Sequence, residues 1–395
     1  MVHNYTMKAA KFLLPLLFLG GLLLYGEPMY SPTWGFRLDL PEGYYFTEGD
    51  GRNRFSFEGP SDARFDIVVY HSEGGSPSPY DSLPALVADI QGRLGNAGDA
   101  EFFIYRDKEA CIIELDFSLG AGSLSGWALA IELPLPPIPL GPLAQSQRPL
   151  LLAMAYGPAE IWALQVFHLS ALDSLAPEEA DRRAPGPITD FTFPRENPLR
   201  VPIYGLGLHA WIDADDALAS QTLIDREALV LLNYEAEPTW QEAWTRFYRA
   251  IYRDSFERLI DIAFQVERHF NVPPLDNRRF AEQVLSWVQS FTYERDQMGS
   301  DFLNLVSMAV EGRGDCDPRA MLWALILRQN NINAGIMVSR HLSHAMGLGD
   351  LEGPGARFPL QGRTYMVAET TRVVDLGLIA QDHSNIEHWI GILFD

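Results

Sequence analysis

The sequence predicts an α+β protein in two parts, and three observations carry this prediction. From residue 30 to about 195, short segments alternate apolar and polar residues, which is typical of strands. Beyond residue 199 the apolar residues recur at helical spacing. A segment rich in proline lies between them, and a chain of 395 residues is long enough for two domains. We therefore expect an antiparallel sheet with packed helices in residues 30–195, and long helices leading into a second α+β core in residues 199–395.

The first part should contain many strands and few helices. Residues 79–94 place Leu83, Leu86, Val87, Ile90 and Leu94 on one face, which predicts a helix. A short closing helix is expected over 173–181. Strands are predicted over residues 35–41, 54–57, 65–70, 102–105, 111–117, 127–132, 150–156 and 161–167.

The opening of this part resembles the PsbP/Mog1-like fold. The resemblance is carried by the run Phe36, Leu40, Pro41 and Gly43, together with the order of predicted elements. It implies an antiparallel sheet with helices packed on it. No catalytic residue transfers with this resemblance.

The second part opens with a long apolar pattern over residues 239–270, which predicts one helix with an aromatic stripe. We interpret Trp240, Trp244 and Phe247 as core residues of that stripe. Pro273 and Pro274 should end it, and Asp276 or Asn277 can cap a following helix over 278–290.

The N-terminus predicts export from the cytoplasm. Lys8 and Lys11 precede an apolar run over residues 12–25, which is short for a membrane span and suits the core of a signal peptide. Residues 1–26 are thus a signal peptide or, if uncleaved, a signal anchor, and the protein should be periplasmic or secreted. A net charge of −22 argues against a nucleic acid or an anionic membrane surface as partner and favours basic or neutral ones. Membrane attachment is expected only through residues 12–25.

One constellation in the sequence predicts chemistry. Cys316 follows Gly312-Arg313-Gly314-Asp315, where two glycines allow a tight turn into a predicted helix over 317–329. The N-terminus of a helix favours a thiolate, and its free N–H groups can receive an oxyanion. His344 and Glu369 each stand at the end of an apolar segment, so they can serve as the base and as the group that orients it.

Several alternatives to these assignments remain open. His341 competes with His344, and Asp375 competes with Glu369. Gln297 is a candidate side-chain donor to the oxyanion. The two cysteines, Cys111 and Cys316, would form a disulfide if both were structural. No set of His, Cys and Asp has metal-site spacing, so neither a metal nor another cofactor is expected.

From Val284 onward the chain resembles the transglutaminase-like (papain-like cysteine) superfamily. The shared motifs are Tyr293-x-x-Asp296, Gly312-x-Gly314-Asp315-Cys316, the helix over 320–328, the turn over 331–336, His344-Ala345 and Glu369-x-Thr371. The resemblance implies a Cys316–His344–Glu369 triad acting on a protein or peptide substrate. Many relatives have Asp where this chain has Glu369.

These observations predict a thiol-dependent acyl-transfer enzyme that acts outside the cytoplasm. A thioester on Cys316 would be hydrolysed, as in a peptidase or amidase, or intercepted by an amine, as in protein crosslinking. The sequence does not choose between water and amine. The rival prediction is an inactive transglutaminase-like protein that serves as a binding or scaffold protein of the cell envelope.

Overall fold

The computed structural model describes residues 28–72, 76–95, 98–120, 122–135, 148–272, 274–295 and 301–394. With 37% helix and 30% strand and a large antiparallel sheet, the predicted α+β class is confirmed. The predicted signal segment, residues 1–26, and the oxyanion candidate Gln297 lie outside the described residues. Within the described ranges, no helix is both long and apolar enough to cross a membrane.

The first half is built around one seven-stranded antiparallel sheet. Its strand order is β3-β4-β5-β9-β8-β7-β6, and β1 pairs with β2 beside it. The strands are β1 Met29–Tyr30, β2 Arg37–Leu38, β3 Tyr45–Gly49, β4 Arg54–Glu58, β5 Arg64–Tyr70, β6 Ala100–Tyr105, β7 Lys108–Leu119, β8 Gly122–Glu132 and β9 Leu150–Pro158. The helices are α1 Leu83–Leu94, α2 Leu164–Asp173 and α3 Pro187–Thr192.

Helices cover both faces of this sheet because the central strands are apolar on both sides. On β7, Cys111 and Ile113 face α1, whereas Ala110 and Ile112 belong to the core on the opposite face, which α2 and α3 cover. Alternate residues of a strand point to opposite faces, so a strand buried on both sides carries a nearly continuous apolar run.

The strand predicted over 161–167 is wrong, and the closing helix predicted over 173–181 is reduced to a short 3-10 helix, Glu179–Arg183. The first of these segments leads into α2, whose buried residues Leu164, Phe167 and Ala171 recur at helical spacing. A pattern of seven residues was too short to distinguish the two periods. Asp173 ends α2 and bonds through its carboxylate to the backbone N–H groups of Ile188 and Thr189, at the start of α3.

The second half surrounds a central buried helix. Its helices are α4 Asp216–Leu231, α5 Trp240–Arg258, α6 Ile260–Phe270, α7 Asn277–Gln289, α8 Leu305–Glu311 and α9 Cys316–Gln329. Its strands are β10 Pro198–Ile203, β11 Leu208–Asp213, β12 Thr292–Tyr293, β13 Arg313–Gly314, β14 Ala334–Ser339, β15 His344–Gly349, β16 Arg357–Leu360, β17 Arg363–Ala368 and β18 Ile390–Leu393. Five of these strands form an antiparallel sheet in the order β16-β17-β15-β14-β18, and α9 packs on β14 and β15.

Helix α9 is buried all round, because nearly every side chain from Ala320 to Leu327 is apolar. The helix predicted over 239–270 is instead two helices, α5 and α6, which break at Leu259 (φ −100°, ψ 4°). Leu259 is fully buried, so the pattern of buried apolar residues continues across the break. The sequence pattern therefore does not show where the first helix ends. Of the two residues predicted to cap the next helix, Asp276 is the N-cap, and its side chain accepts a hydrogen bond from the Arg279 N–H.

Two buried arginines of the second half, Arg246 and Arg249, join it to the first half through Asp39. Arg246, on α5, donates to the Glu227 carboxylate at 2.7 Å and to the backbone oxygen of Asp39 at 2.8 Å. Arg249 forms a bidentate pair with the Asp39 carboxylate. Because α5 also contributes to the wall of the site described below, these contacts fix that wall against the first half.

Candidate functional site

Cys316 is the first residue of α9, and a turn that contains two glycines precedes it. Gly312 (φ +66°) ends α8, and a Cβ at this position would lie 2.2 Å from the Tyr204 ring. Gly314 (φ +150°) leaves no room for a Cβ beside Met308. The buried Arg319 donates to the Gly314 backbone oxygen at 3.0 Å and to that of Phe291 at 2.7 Å, so it holds the turn in place.

His344 begins β15, and Glu369 directly follows β17, the strand paired with β15. His344 Nε2 and Glu369 Oε2 are 2.8 Å apart. The other carboxylate oxygen accepts from Thr371 twice, from its backbone N–H at 2.8 Å and from its hydroxyl at 2.6 Å. Gln289, on α7, donates to the Glu369 backbone oxygen at 2.8 Å. The carboxylate is thereby held on both oxygens and fixes the plane of the imidazole.

The electrostatics of Glu369 favour its ionised form. Burial alone would raise the pKa of this carboxyl, but the His344 and Thr371 contacts outweigh burial and lower the pKa to about 2. An ionised Glu369 beside Nε2 stabilises an imidazolium at His344. It also leaves Nδ1 as the ring nitrogen available for another partner.

Cys316 and His344 line one cavity of about 220 Å³, together with Trp244, Arg295 and Arg340. The Cys316 side chain is 2% exposed. The Ala345 backbone N–H bonds to its sulfur, so the strand that carries His344 also contacts the thiol. The structure thus brings together Cys316, His344 and Glu369, the three residues that the sequence selected.

Burial and two neighbouring acids oppose the expected thiolate. Burial raises the pKa of Cys316 well above its ordinary value, and the carboxylates of Asp317 and Asp315 raise it further. The Asp317 Oδ1 lies 3.7 Å from the sulfur and accepts its S–H. The favourable effect of the helix N-terminus is therefore opposed by desolvation and by two acids, which favour the neutral thiol.

The pair of acids beside the thiol was not assigned a role by the sequence. Burial, followed by repulsion from Asp317 and Asp301, raises the pKa of Asp315 to about 7, although Arg295 opposes this rise. Desolvation raises the pKa of Asp317, although the Tyr248 hydroxyl, which donates to its carboxylate, opposes this rise. Tyr248 follows Phe247 on α5, and the sequence analysis assigned it no role at the site.

The rival residues lie elsewhere. His341 stacks against His388 with ring centroids 4.4 Å apart, and Asp375 is exposed. Cys111 is buried in the sheet of the first half, and both cysteines are free, so the alternative disulfide is absent.

Two aromatic side chains from the C-terminal segment also reach the site. The His383 ring lies 5.1 Å from the His344 ring, and the Trp389 ring lies 6.2 Å from it. Trp389 donates through Nε1 to the His383 backbone oxygen at 3.0 Å. The sequence gave no reason to place either residue here, because both lie in irregular structure before the last strand.

Two groups of side chains have the close spacing that a metal ion requires. One group is His344, Glu369 and His383, and the other is Asp315, Cys316 and Asp317; within each, the ligand atoms lie within 4.8 Å of one another. The hydrogen bonds His344–Glu369 and Cys316–Asp317 already occupy donors in both groups. The arrangement is therefore accounted for by the protein's own contacts.

No protein family that was compared matches this chain, and no curated protein matches it either. The function must accordingly be argued from the geometry of the site.

Proposed function

We propose that the protein is an extracytoplasmic thiol-dependent acyl-transfer enzyme whose second half has a transglutaminase-like core. Cys316 is the nucleophile, His344 the general acid and base, and Glu369 the group that orients the imidazole. The observation that carries this proposal is the 2.8 Å contact between His344 Nε2 and the ionised Glu369, beside a cavity that His344 shares with Cys316.

The order of elements supports the same proposal. A cysteine begins the central helix α9, a histidine begins strand β15 beside it, and an acid follows the neighbouring strand β17. This order along the chain is the one that the resemblance to the transglutaminase-like superfamily implies. Fold alone does not establish activity, so the proposal depends on the arrangement of the three side chains.

In the proposed reaction the resting thiol is activated as it reacts. The Cys316 sulfur attacks the carbonyl carbon of an amide while His344 Nδ1 takes the thiol proton. The tetrahedral intermediate collapses, the C–N bond breaks, and the imidazolium gives that proton to the departing amine. The product is a thioester on Cys316, which water or a second amine then attacks, returning the sulfur to the thiol.

The oxyanion of this intermediate would be received at the start of α9. The N-cap residue Asp315 makes no close side-chain capping bond, although the Asp317 backbone N–H lowers the pKa of its carboxyl. Each donor to the oxyanion is worth roughly 3–4 kcal/mol to the transition state in characterised enzymes. Gln297 remains a proposed additional donor.

A second candidate is a non-catalytic binding protein of the cell envelope. It is favoured by one observation, the thiol that burial and two acids keep protonated. In that case Cys316 and its neighbours would be a structural network beneath a binding surface.

Acylation by p-nitrophenyl acetate distinguishes the two candidates. The enzyme should release nitrophenol in a burst and carry an acetyl group on Cys316, seen by peptide mass spectrometry. Cys316→Ala should show no burst, whereas Cys111→Ser should behave as wild type. Added methylamine then reports the fate of the thioester: methylacetamide indicates transfer and acetate indicates hydrolysis. A chain that is never acetylated at Cys316 would support the binding protein.

A further inference from the structure

The charge of the candidate cleft is opposite to that of the chain. Two cavities meet at Ser343 and His344: the one with Cys316 holds Arg295 and Arg340, and the other holds Arg372. Asp317 is the carboxylate among the described residues that line them. The full chain has 52 acidic residues against 30 Lys and Arg, so a group of three arginines here departs from its composition.

The counter-charges of these arginines are distant or exposed. Arg295 lies 3.5 Å from the nearest Asp301 oxygen and 3.7 Å from Asp315. Arg340 lies 3.5 Å from Glu235, which is 72% exposed. Arg340 also donates through Nη1 to the Glu235 backbone oxygen at 2.9 Å. The carboxylate separations exceed those of a close charge-assisted hydrogen bond, so both guanidinium groups keep further donors for a ligand.

Arg372 is exposed on the other side of His344, and no ion pair joins it to another residue in the described part of the chain. An arginine fork binds a carboxylate through two parallel hydrogen bonds, which makes it well suited to recognise an anionic group.

Aromatic rings extend the wall on the Cys316 side. Trp244 lines that cavity and meets Trp240 edge to face, with centroids 5.8 Å apart. The Arg340 guanidinium lies 5.7 Å from the Trp240 ring centroid, so the ring supports it facing the cleft. The wall thus offers an apolar surface next to a cation.

We infer that the site takes an acidic acyl substrate, one with a free carboxylate a few bonds from the carbonyl that Cys316 attacks. Arg340 and Arg295 would bind that carboxylate beside the thiol, and the Trp244 surface would cover the intervening apolar chain. This inference rests on the proposed function and reverses, for the site itself, the preference for basic or neutral partners that the overall charge suggests.

The test compares two esters of equal length, mono-p-nitrophenyl adipate and its neutral amide, p-nitrophenyl adipamate. The second-order rate of Cys316 acylation should be about five-fold higher for adipate at low ionic strength, the effect of one partly exposed ion pair. The preference should fall with added salt. Arg340→Gln and Arg295→Gln should each reduce the ratio, and the double variant should abolish it.

Arg363→Gln is the matched control, because Arg363 is equally an arginine of the second half but pairs with Asp350 and lines neither cavity. It should leave the ratio unchanged. Equal rates for the two esters in the wild-type protein, or a ratio that survives in the double variant, would overturn the inference while acylation itself still supports the proposed function. Failure of both esters to acylate Cys316 would overturn both proposals.

Discussion

Replacing Asp317 with Asn should lower the pKa of Cys316 and make the thiol more reactive near neutral pH. The Asp317 Oδ1 lies 3.7 Å from the sulfur; Cys316 is buried and Asp317 is partly buried. Asn has the same shape and can still accept the Tyr248 hydroxyl. The substitution therefore removes a charge with little change in packing.

The size of the expected fall in the Cys316 pKa follows from the distance between the Asp317 carboxylate and the sulfur. Two unit negative charges about 4 Å apart repel by about 4 kcal/mol at an effective dielectric constant of about 20. At about 1.4 kcal/mol per unit, full repulsion corresponds to roughly three pKa units. Because burial also raises the pKa of Asp317, its carboxylate carries only part of that charge when the thiol ionises. We expect a fall of about two units on these constants.

The assay is iodoacetamide labelling of Cys316 against pH, resolved by peptide mass spectrometry. Cys111 serves as an internal reference, since burial raises its pKa to about 11 and Asp317→Asn should not change it. Asp350→Asn removes the same charge from an exposed carboxylate paired with Arg363 and should leave the Cys316 profile in place. A Cys316 midpoint that stays the same or rises in Asp317→Asn would refute the electrostatic reasoning.

Two further predictions concern stability. The pKa of Glu369 is lowered from 4.5 to about 2, so its ionised form stabilises the fold fully above about pH 4.5, and this contribution is lost as pH falls towards 2. Glu369→Gln should thus lower the free energy of unfolding in urea by up to about 3 kcal/mol at pH 7 and by clearly less at pH 3. An equal loss at the two pH values would contradict this pH dependence. Arg246→Met removes one of the two arginines that pair with the buried Glu227, along with the donors to the Asp39 backbone oxygen and to the Ser170 hydroxyl, and should cost about 3 kcal/mol, against little for the exposed control Arg363→Met. A loss of under about 1 kcal/mol would show that the Arg246 contacts do not hold the halves together.

The sequence was most informative where a residue type is required by backbone geometry. Gly312 and Gly314 mark the turn before Cys316 because both have a positive φ, which glycine adopts without the strain of a Cβ, and this requirement is visible in the sequence. The same holds for the alternation that predicts the strands of the first sheet. Local rules of this kind need no knowledge of the tertiary contacts.

Other features depend on contacts between distant segments, which periodicity does not encode. Asp317 and Tyr248 are 69 residues apart in the chain, and their hydrogen bond lowers the pKa of Asp317 against the effect of burial. His383 and Trp389 reach His344 from irregular structure. The helix dipole argument for a thiolate was sound locally but omitted burial and two acids, which act in the opposite direction.

The central claim, that His344 activates Cys316, is tested most directly by single-turnover acylation with p-nitrophenyl acetate in wild type and His344→Ala. The proposal predicts that the variant loses about 10²- to 10⁴-fold in rate, the usual contribution of a general base. A variant that acylates at the wild-type rate, with the pH dependence of an ordinary thiol, would contradict the assignment of His344 as the base.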